Sequence, residues 1–377
     1  MNILYLTSTG KIIGGGEVSL FNLLKNLNHK VFRPHLISVA SGDFTQKISE
    51  LNIPVKILPL KKVKNFINFK HNLSILKQLK SCIAENNISL IHCNSIGGIT
   101  LMGAVAAHFK GIPFVWHVRA VEKSFILDAV CGMLSSRIIC ISAAVAGRFK
   151  GFPFLKKICL IHNGVDTSLF NPASLVIRSN ALSFRKEIGC SESDFIIGAV
   201  GRYHPMKSYE YLIRALKVVV TNSYNVKVVF IGMGYSTGNP YLLKLKSLTS
   251  ELGLEQNVIF MGQREDIASV MSSFNLFVLP SENEPFGRVV IEAMACGLAV
   301  IAFRSGGLPE IVKDKTTGFL INPFNVNEMA DKIIYLKNNG KLRRDFGEKA
   351  RERAVGLFDI KAHTKEIEEL YLSFQKQ

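Results

Sequence analysis

Short continuous apolar runs alternate with stretches of helical periodicity along this chain, and that alternation constrains the fold more than any other feature. Residues 2–7, 35–39, 90–93, 114–117, 137–141 and 158–162 form a first series of runs. Residues 195–200, 226–231, 258–261, 276–279 and 299–303 form a second. A strand buried on both faces reads as an unbroken apolar run, and helices between such strands imply a parallel sheet. After the first run Gly14, Gly15 and Gly16 interrupt the pattern, and residues 17–27 then place Val18, Phe21 and Leu24 on one helical face. Residues 163–193 hold Asn-Gly and Asn-Pro steps among many polar side chains, which suits a connection between domains. Two successive doubly wound, Rossmann-like α/β domains are therefore expected, over 1–170 and 171–357. Ile360, His363, Ile367, Leu370, Tyr371 and Phe374 recur at helical spacing, so a closing helix over 358–377 is expected to pack back on the first domain.

The chain has 377 residues, 48% of them hydrophobic and 20% charged, so a sizeable core is available and disordered, collagen-like and coiled-coil classes are excluded. The net charge of +17 is unevenly spread. Residues 1–180 hold 21 basic and 7 acidic side chains, a surplus of 14, whereas the remainder holds 25 and 22. The first half thus carries a field that calls for an anionic partner. Residues 51–84 contain no acid, and Lys61, Lys62 and Lys64 lie beside Phe66 and Phe69. Such a stretch suits an anionic membrane surface, with lysines at the headgroups and the two aromatics in the interface, or an anionic acceptor. For its helical part the alternative is a surface helix whose apolar face packs on the sheet. Nucleic acid is not expected, because no recognition motif accompanies the charge.

The seven cysteines form no CxxC pair and match no zinc spacing. Reduced core thiols, no metal and a cytoplasmic setting follow as expectations. Residues 1–6 lack the basic region of a signal peptide, and no apolar stretch reaches the roughly 18–20 residues of a spanning helix. Peripheral attachment to the inner face of the plasma membrane remains open.

Three segments could carry chemistry. Gly14-Gly15-Gly16-Glu17 joins the first strand to the first helix, where glycine permits close backbone approach and a helix N-terminus favours an anion; an ordinary tight turn is the alternative. Arg202 and Lys207 follow the first strand of the second half and are well placed for a diphosphate, although a solvated loop could also carry them. In residues 279–295 a strand ends, a loop carries Glu284, and a helix beginning near Gly287 carries Glu292 among Ile291, Ala293 and Met294. A carboxylate in such apolar company needs a partner. A hydroxyl-rich ligand would supply hydrogen bonds to both acids, and a salt bridge within the domain is the competing explanation.

Glu284 and Glu292, in Glu-Pro-Phe-Gly-x4-Glu, resemble the E-x7-E motif of glycosyltransferase family 4, whose members have the GT-B fold. The resemblance extends over most of the chain, through residues 14–17, Asn163-Gly164-Val165-Asp166, Gly201-Arg202 with Lys207, and the segments 296–300 and 306–311. It implies a retaining transferase whose two domains face an interdomain cleft. The donor would be a nucleotide-diphosphate sugar and the acceptor a lipid-linked or oligosaccharide molecule. No cofactor or metal would be needed. Cell-surface polysaccharide or lipopolysaccharide synthesis is the expected setting. A GT-B nucleotide-sugar epimerase and a non-catalytic nucleotide-sugar-binding protein are the alternatives.

The resemblance also implies roles. Arg202 and Lys207 would hold the diphosphate, Glu284 the sugar hydroxyls and Glu292 the ribose. Phe286, Gly287, Arg288 and Val289 would offer backbone amides to sugar and phosphate. His117 matches the family's donor-sugar histidine, and Gly15 or Gly16 would let the diphosphate approach the first helix. The nucleobase would lie near Gly232 and the turn holding Gln263 and Arg264. Three departures stand out: Ser208 replaces the glycine common after the clamp lysine, His162 replaces the proline before Asn-Gly-Val-Asp, and Val118-Arg119 replaces the aspartate after the strand-end histidine.

Overall fold

A computed structural model of the chain describes residues 1–60, 66–221 and 225–375, with the backbone alone for 66–69. The chain forms two units, Met1–Gly164 with Ile360–Gln377, and Val165–Asp359. In the first, β1 (Asn2–Thr7), β2 (Arg33–Ser38), β3 (Val55–Ile57), β4 (Ile88–Cys93), β5 (Phe114–Val118), β6 (Arg137–Cys140) and β7 (Ile158–Leu160) make a parallel sheet of order β3-β2-β1-β4-β5-β6-β7. In the second, β8 (Phe195–Val200), β9 (Val226–Ile231), β10 (Val258–Met261), β11 (Leu276–Leu279), β12 (Val300–Phe303) and β13 (Gly318–Ile321) make a parallel sheet of order β10-β9-β8-β11-β12-β13. Each sheet is doubly wound. The strand order reverses once, between β1 and β4 in the first unit and between β8 and β11 in the second. At such a reversal the loops leaving the carboxyl ends of the two strands diverge to opposite faces and leave a crevice suited to a ligand.

The apolar runs become strands because their side chains are buried on both faces, as in β8, where all six residues are buried. Two strands lie outside the expected runs: β3 is a three-residue edge strand exposed at Lys56 and Ile57, and β13 is the short buried run Phe319–Ile321 behind Gly318. Helix Gly15–Asn26 buries Ser19, Leu20, Leu23 and Leu24, not the expected face of Val18, Phe21 and Leu24. Leu20, Leu23, Leu24 and Leu27 form the more continuous stripe at spacings of three and four, and Phe21 packs at its edge.

Residues 163–193 are more than a connection. Ser174 caps helix Leu175–Glu187, whose Ile177, Ala181 and Phe184 are buried, and that helix packs on helix Ile267–Ser272. Its buried residues recur at 177, 181 and 184, but exposed Leu175, Val176 and Leu182 and the intervening polar side chains blur that stripe. The first unit ends at Gly164 because Val165 already belongs to the second, where its N–H donates to the Phe358 carbonyl at 2.8 Å. The last helix, Ile360–Ser373, packs against helix Gly15–Asn26 and puts Ile367 and Tyr371 into the core of the first unit.

Candidate functional site

The crevice of the second unit is built from charge. Beyond β8 the chain turns through the 3₁₀ segment Pro205–Lys207, and beyond β11 it runs through Ser281 to Gly287. Lys207 Nζ and Glu284 Oε2, 77 residues apart, meet at 2.6 Å with both side chains largely shielded from solvent. The loops are pinned to each other, because the Glu282 N–H donates to the Met206 carbonyl at 2.9 Å. The Gly307 N–H donates to the Glu284 carbonyl at 2.8 Å, and a Cβ on Gly306, at φ +56°, would lie 2.2 Å from that same oxygen. Only glycine lets this turn come so close to Glu284.

Helix Arg288–Ala295 starts at Gly287 and carries Glu292, 3% exposed, whose Oε1 receives Arg288 Nη2 at 3.0 Å. Burial pushes the Glu292 carboxyl above its ordinary range, and the Arg288 guanidinium opposes that push. Three polar atoms of this region, Ser281 Oγ, Arg288 Nε and Tyr209 Oη, are buried without a hydrogen-bond partner. Orphaned buried donors carry a cost of about 1–3 kcal/mol each unless something satisfies them, so the region is suited to a polar ligand. Phe286 is buried against Phe358, Val289 is partly buried beside it on the helix, and Arg202 is exposed.

Gly232 follows β9 beside Met261 of β10, its N–H donating to the Met261 carbonyl at 3.2 Å. A Cβ there would lie 1.8 Å from the Gly201 carbonyl oxygen, so the fold itself requires this glycine. Gln263 is exposed on the neighbouring turn. Arg264 is engaged by Asp266 at 2.8 Å and Glu187 at 2.7 Å, and its guanidinium lies over Phe184. These contacts give it a structural task that the sequence did not announce.

The crevice of the first unit is built mostly from neutral groups. Gly15 and Gly16 open helix Gly15–Asn26, and the Asn94 side-chain amide donates to the Gly16 carbonyl at 3.3 Å. Arg119 Nε donates to Asn94 Oδ1 at 2.5 Å, and its Nη1 donates to Asn163 Oδ1. His117 is 1% exposed at the end of β5; its Nδ1 lies 3.1 Å from His92 Nε2 and 3.4 Å from Arg119 Nη2. His117 Nε2 has no hydrogen-bond partner. Burial first, then the nearby Arg119 charge, holds His92 down to about 3 and His117 well below the usual imidazole range. His92, Asn94 and Tyr371 were not singled out as site residues; a histidine and an asparagine at the carboxyl end of the apolar run at 90–93 were the available signal.

Lys61, Lys62 and Lys64 lie outside the described residues, and only the backbone of Phe66 and Phe69 is described, in helix Phe66–Glu85. Ile75, Leu79 and Ile83 of that helix are buried, so its apolar face packs inward. All seven cysteines are free thiols. Among the described residues no helix is long and apolar enough to cross a membrane, and no group of three or more His, Cys, Asp or Glu side chains is arranged to hold a metal ion.

Two family descriptions match the chain: Glycosyltransferase Family 4 over residues 13–169, and Glycosyl transferases group 1 over residues 181–353. HepE of Anabaena, solved in complex with UDP-glucose, superposes with a TM-score of 0.85 at 26% identity, over 99% of this chain and 100% of that one. The chain is a family 4 glycosyltransferase of GT-B fold. Among curated relatives, an uncharacterized glycosyltransferase of Methanocaldococcus jannaschii is 28% identical over 90% of this chain and 89% of its own length. The UDP-Gal:α-D-GlcNAc-diphosphoundecaprenol α-1,3-galactosyltransferase of Escherichia coli is 26% identical over 95% of this chain and 93% of its own.

One departure of this glycosyltransferase from the family pattern has a direct structural reading. Ser208, where glycine is common, adopts a left-handed conformation at φ +49° and ψ +37°. The backbone geometry that favours glycine is kept, and the serine bears the strain.

Proposed function

We propose that this glycosyltransferase moves a hexose from a UDP-sugar to a lipid-linked acceptor at an anionic membrane face, with retention of anomeric configuration and without a resident metal. The observation that carries the donor assignment is the Lys207–Glu284 pair at the strand-order reversal between β8 and β11. In the reaction the bond from sugar C1 to the diphosphate oxygen breaks and a bond from C1 to an acceptor oxygen forms. The acceptor proton leaves with the diphosphate. Lys207 and the exposed Arg202 counter the negative charge that grows on the leaving group. Glu284 then exchanges part of its contact with Lys207 for sugar hydroxyls. Glu292 takes the ribose, which supplies the hydrogen bonds a buried carboxylate needs. Amides at Phe286, Gly287, Arg288 and Val289 face the phosphates, and Gly232 with Gln263 borders the base. The first unit receives the acceptor, and His117 offers its buried Nε2 to a sugar hydroxyl. The names of HepE's ligand and of the E. coli relative support UDP as the nucleotide and a lipid diphosphate as the acceptor class.

The membrane part has support in the first unit beyond the basic run. Phe125 and Ile126, at 77% and 78% exposure, stand beside exposed Lys123, and Phe125 contacts Phe152 next to Lys150. Exposed aromatic and aliphatic side chains among lysines match an anionic interface.

Incubation with UDP-glucose, UDP-galactose and their GDP counterparts, read by thermal shift and by product NMR, tests the donor. A UDP-sugar is expected to stabilise the protein by about 2.7 kcal/mol at 100 times its Kd. Stabilisation by GDP-sugars alone would overturn the nucleotide, and an inverted anomeric product would overturn retention. Sedimentation with phosphatidylglycerol vesicles tests the surface. Binding should weaken as salt shortens the Debye length from about 10 Å at 0.1 M to about 3 Å at 1 M. It should also fall in Phe125→Asp/Ile126→Asp. Equal binding to neutral vesicles would sink the membrane reading.

A further inference from the structure

A chain of buried hydrogen bonds runs through the first unit from the final helix to His117. Tyr5 Oη lies 3.1 Å from Tyr371 Oη, Tyr371 Oη lies 2.6 Å from His92 Nδ1, and His92 Nε2 lies 3.1 Å from His117 Nδ1. All four side chains are buried. Taken alone, such a chain could carry its protons in either direction. Arg119 favours one direction, because its Nη2 lies 3.4 Å from His117 Nδ1 and a guanidinium can only donate. His117 Nδ1 is therefore the favoured acceptor, a choice that also needs His92 to present its proton at Nε2. His92 must then donate from Nε2, which leaves its Nδ1 to accept from the Tyr371 hydroxyl. The Tyr371 oxygen in turn accepts from Tyr5. Both imidazoles are neutral at pH 7, since burial and the Arg119 charge depress their proton affinity. A neutral His117 with a bare Nδ1 carries its proton on Nε2, the atom that has no partner.

We infer that Tyr371 and His92 are positioning residues that fix His117 as its Nε2–H tautomer, so that it presents one buried N–H donor to an oxygen acceptor on the substrate. The inference rests on the reading of His117 as a substrate contact only for what the donor meets; the tautomer itself follows from Arg119 and the relay. A fixed tautomer spares the site a reorientation when substrate arrives, and it discriminates. An oxygen that can accept is received, whereas a group that can only donate leaves the Nε2–H orphaned. A helix more than 250 positions away in the chain thereby supports a side chain at the carboxyl end of β5 (His92 and Tyr371 are 279 residues apart).

The test is two-bond ¹H–¹⁵N NMR on full-length protein labelled at histidine, with His117→Gln used to assign the His117 signals. Wild type should show His117 protonated at Nε2 and bare at Nδ1. Tyr371→Phe keeps the ring but removes the hydroxyl donor, so a second His117 population protonated at Nδ1 should appear. In the same variant kcat/KM for sugar transfer should fall about fivefold to tenfold, the worth of one hydrogen bond, with UDP affinity unchanged. Tyr5→Phe leaves the Tyr371-to-His92 donation intact and should leave both tautomer and rate at wild-type values. Nδ1 protonation in wild type would overturn the inference. So would equal effects of Tyr5→Phe and Tyr371→Phe, which would point to packing. Full activity in His117→Ala with the expected NMR pattern would remove the substrate contact while leaving the relay in place.

Discussion

The two strand-order reversals of this chain occupy equivalent places in their sheets and are furnished in opposite ways. In the second unit the crevice between β8 and β11 holds a salt bridge between Lys207 and Glu284 and a second between Arg288 and Glu292. In the first unit the crevice between β1 and β4 is bordered among the described residues by amides, neutral histidines, Arg119 and the nearby Glu17. On the proposed reading the second-unit crevice holds the donor diphosphate, a fixed anion that gains charge as its sugar departs and so calls for cations. On the proposed reading the first-unit crevice takes only the reacting hydroxyl of the acceptor, which oriented neutral donors and acceptors can hold. Charge pairs occur in the first unit too, but there they build structure. Arg148 and Asp128, both 0% exposed, meet at 2.5 Å and tie helix Phe125–Leu134 to the turn Gly147–Phe149.

The sharpest way to break this contrast is to remove one partner of each pair. Arg148→Ala leaves Asp128 buried and uncompensated, so it should destabilise the first unit by about 3–5 kcal/mol in chemical denaturation. UDP affinity should be unchanged in the folded fraction; a specific loss of UDP binding would mean that the pair is not merely structural. Lys207→Ala should do the reverse. Its pair is largely but not fully shielded, at 16% and 14% exposure, so stability should move by less than for Arg148, about 1–2 kcal/mol, while kcat falls about 10²–10³-fold. Unchanged kcat/KM would remove the clamp.

Acid should separate the units by sign. His92, His117 and His363 have proton affinities depressed on folding, so the stability they contribute is present above the ordinary imidazole value of 6.5. It is lost as pH falls from there toward the values of about 3 and about 4 for His92 and His363. Glu292 is shifted the other way: its contribution is present below the ordinary value of 4.5 and is lost as pH rises through its elevated one. The Tm of Glu292→Gln relative to wild type should therefore improve between pH 4 and pH 7, while UDP affinity falls about tenfold through the ribose contact. A Tm difference independent of pH would contradict the buried-carboxylate account. The smallest effect belongs to Ser208, where Ser208→Gly should relieve the left-handed strain and stabilise the second unit by about 0.5–1 kcal/mol in thermal melts.

Much of this was legible beforehand. Five strands coincide with the expected runs residue for residue, because strands buried largely on both faces are mostly apolar, with Lys227 the charged interruption in β9. Lys207, Glu284 and Glu292 could be singled out because charge beside apolar sequence is conspicuous. The ion pair of Arg264 was not legible, since its partner Glu187 sits 77 residues earlier on a helix that the sequence did not reveal. The exposure of Phe125 and Ile126 carries no sequence signal, because it is set by which side of helix Phe125–Leu134 packs inward.

The sequence by itself determined the two parallel sheets and the chemistry waiting at their carboxyl ends, because periodicity, strand-end polarity and glycine breaks are local properties. Tertiary structure alone decided which distant groups meet. Whether Glu284 finds Lys207, whether Tyr371 on the final helix finds His92, and which proton His117 keeps all depend on strand order and burial. Those contacts span 77 residues in one unit and 279 in the other, and no local pattern encodes a distance of that kind.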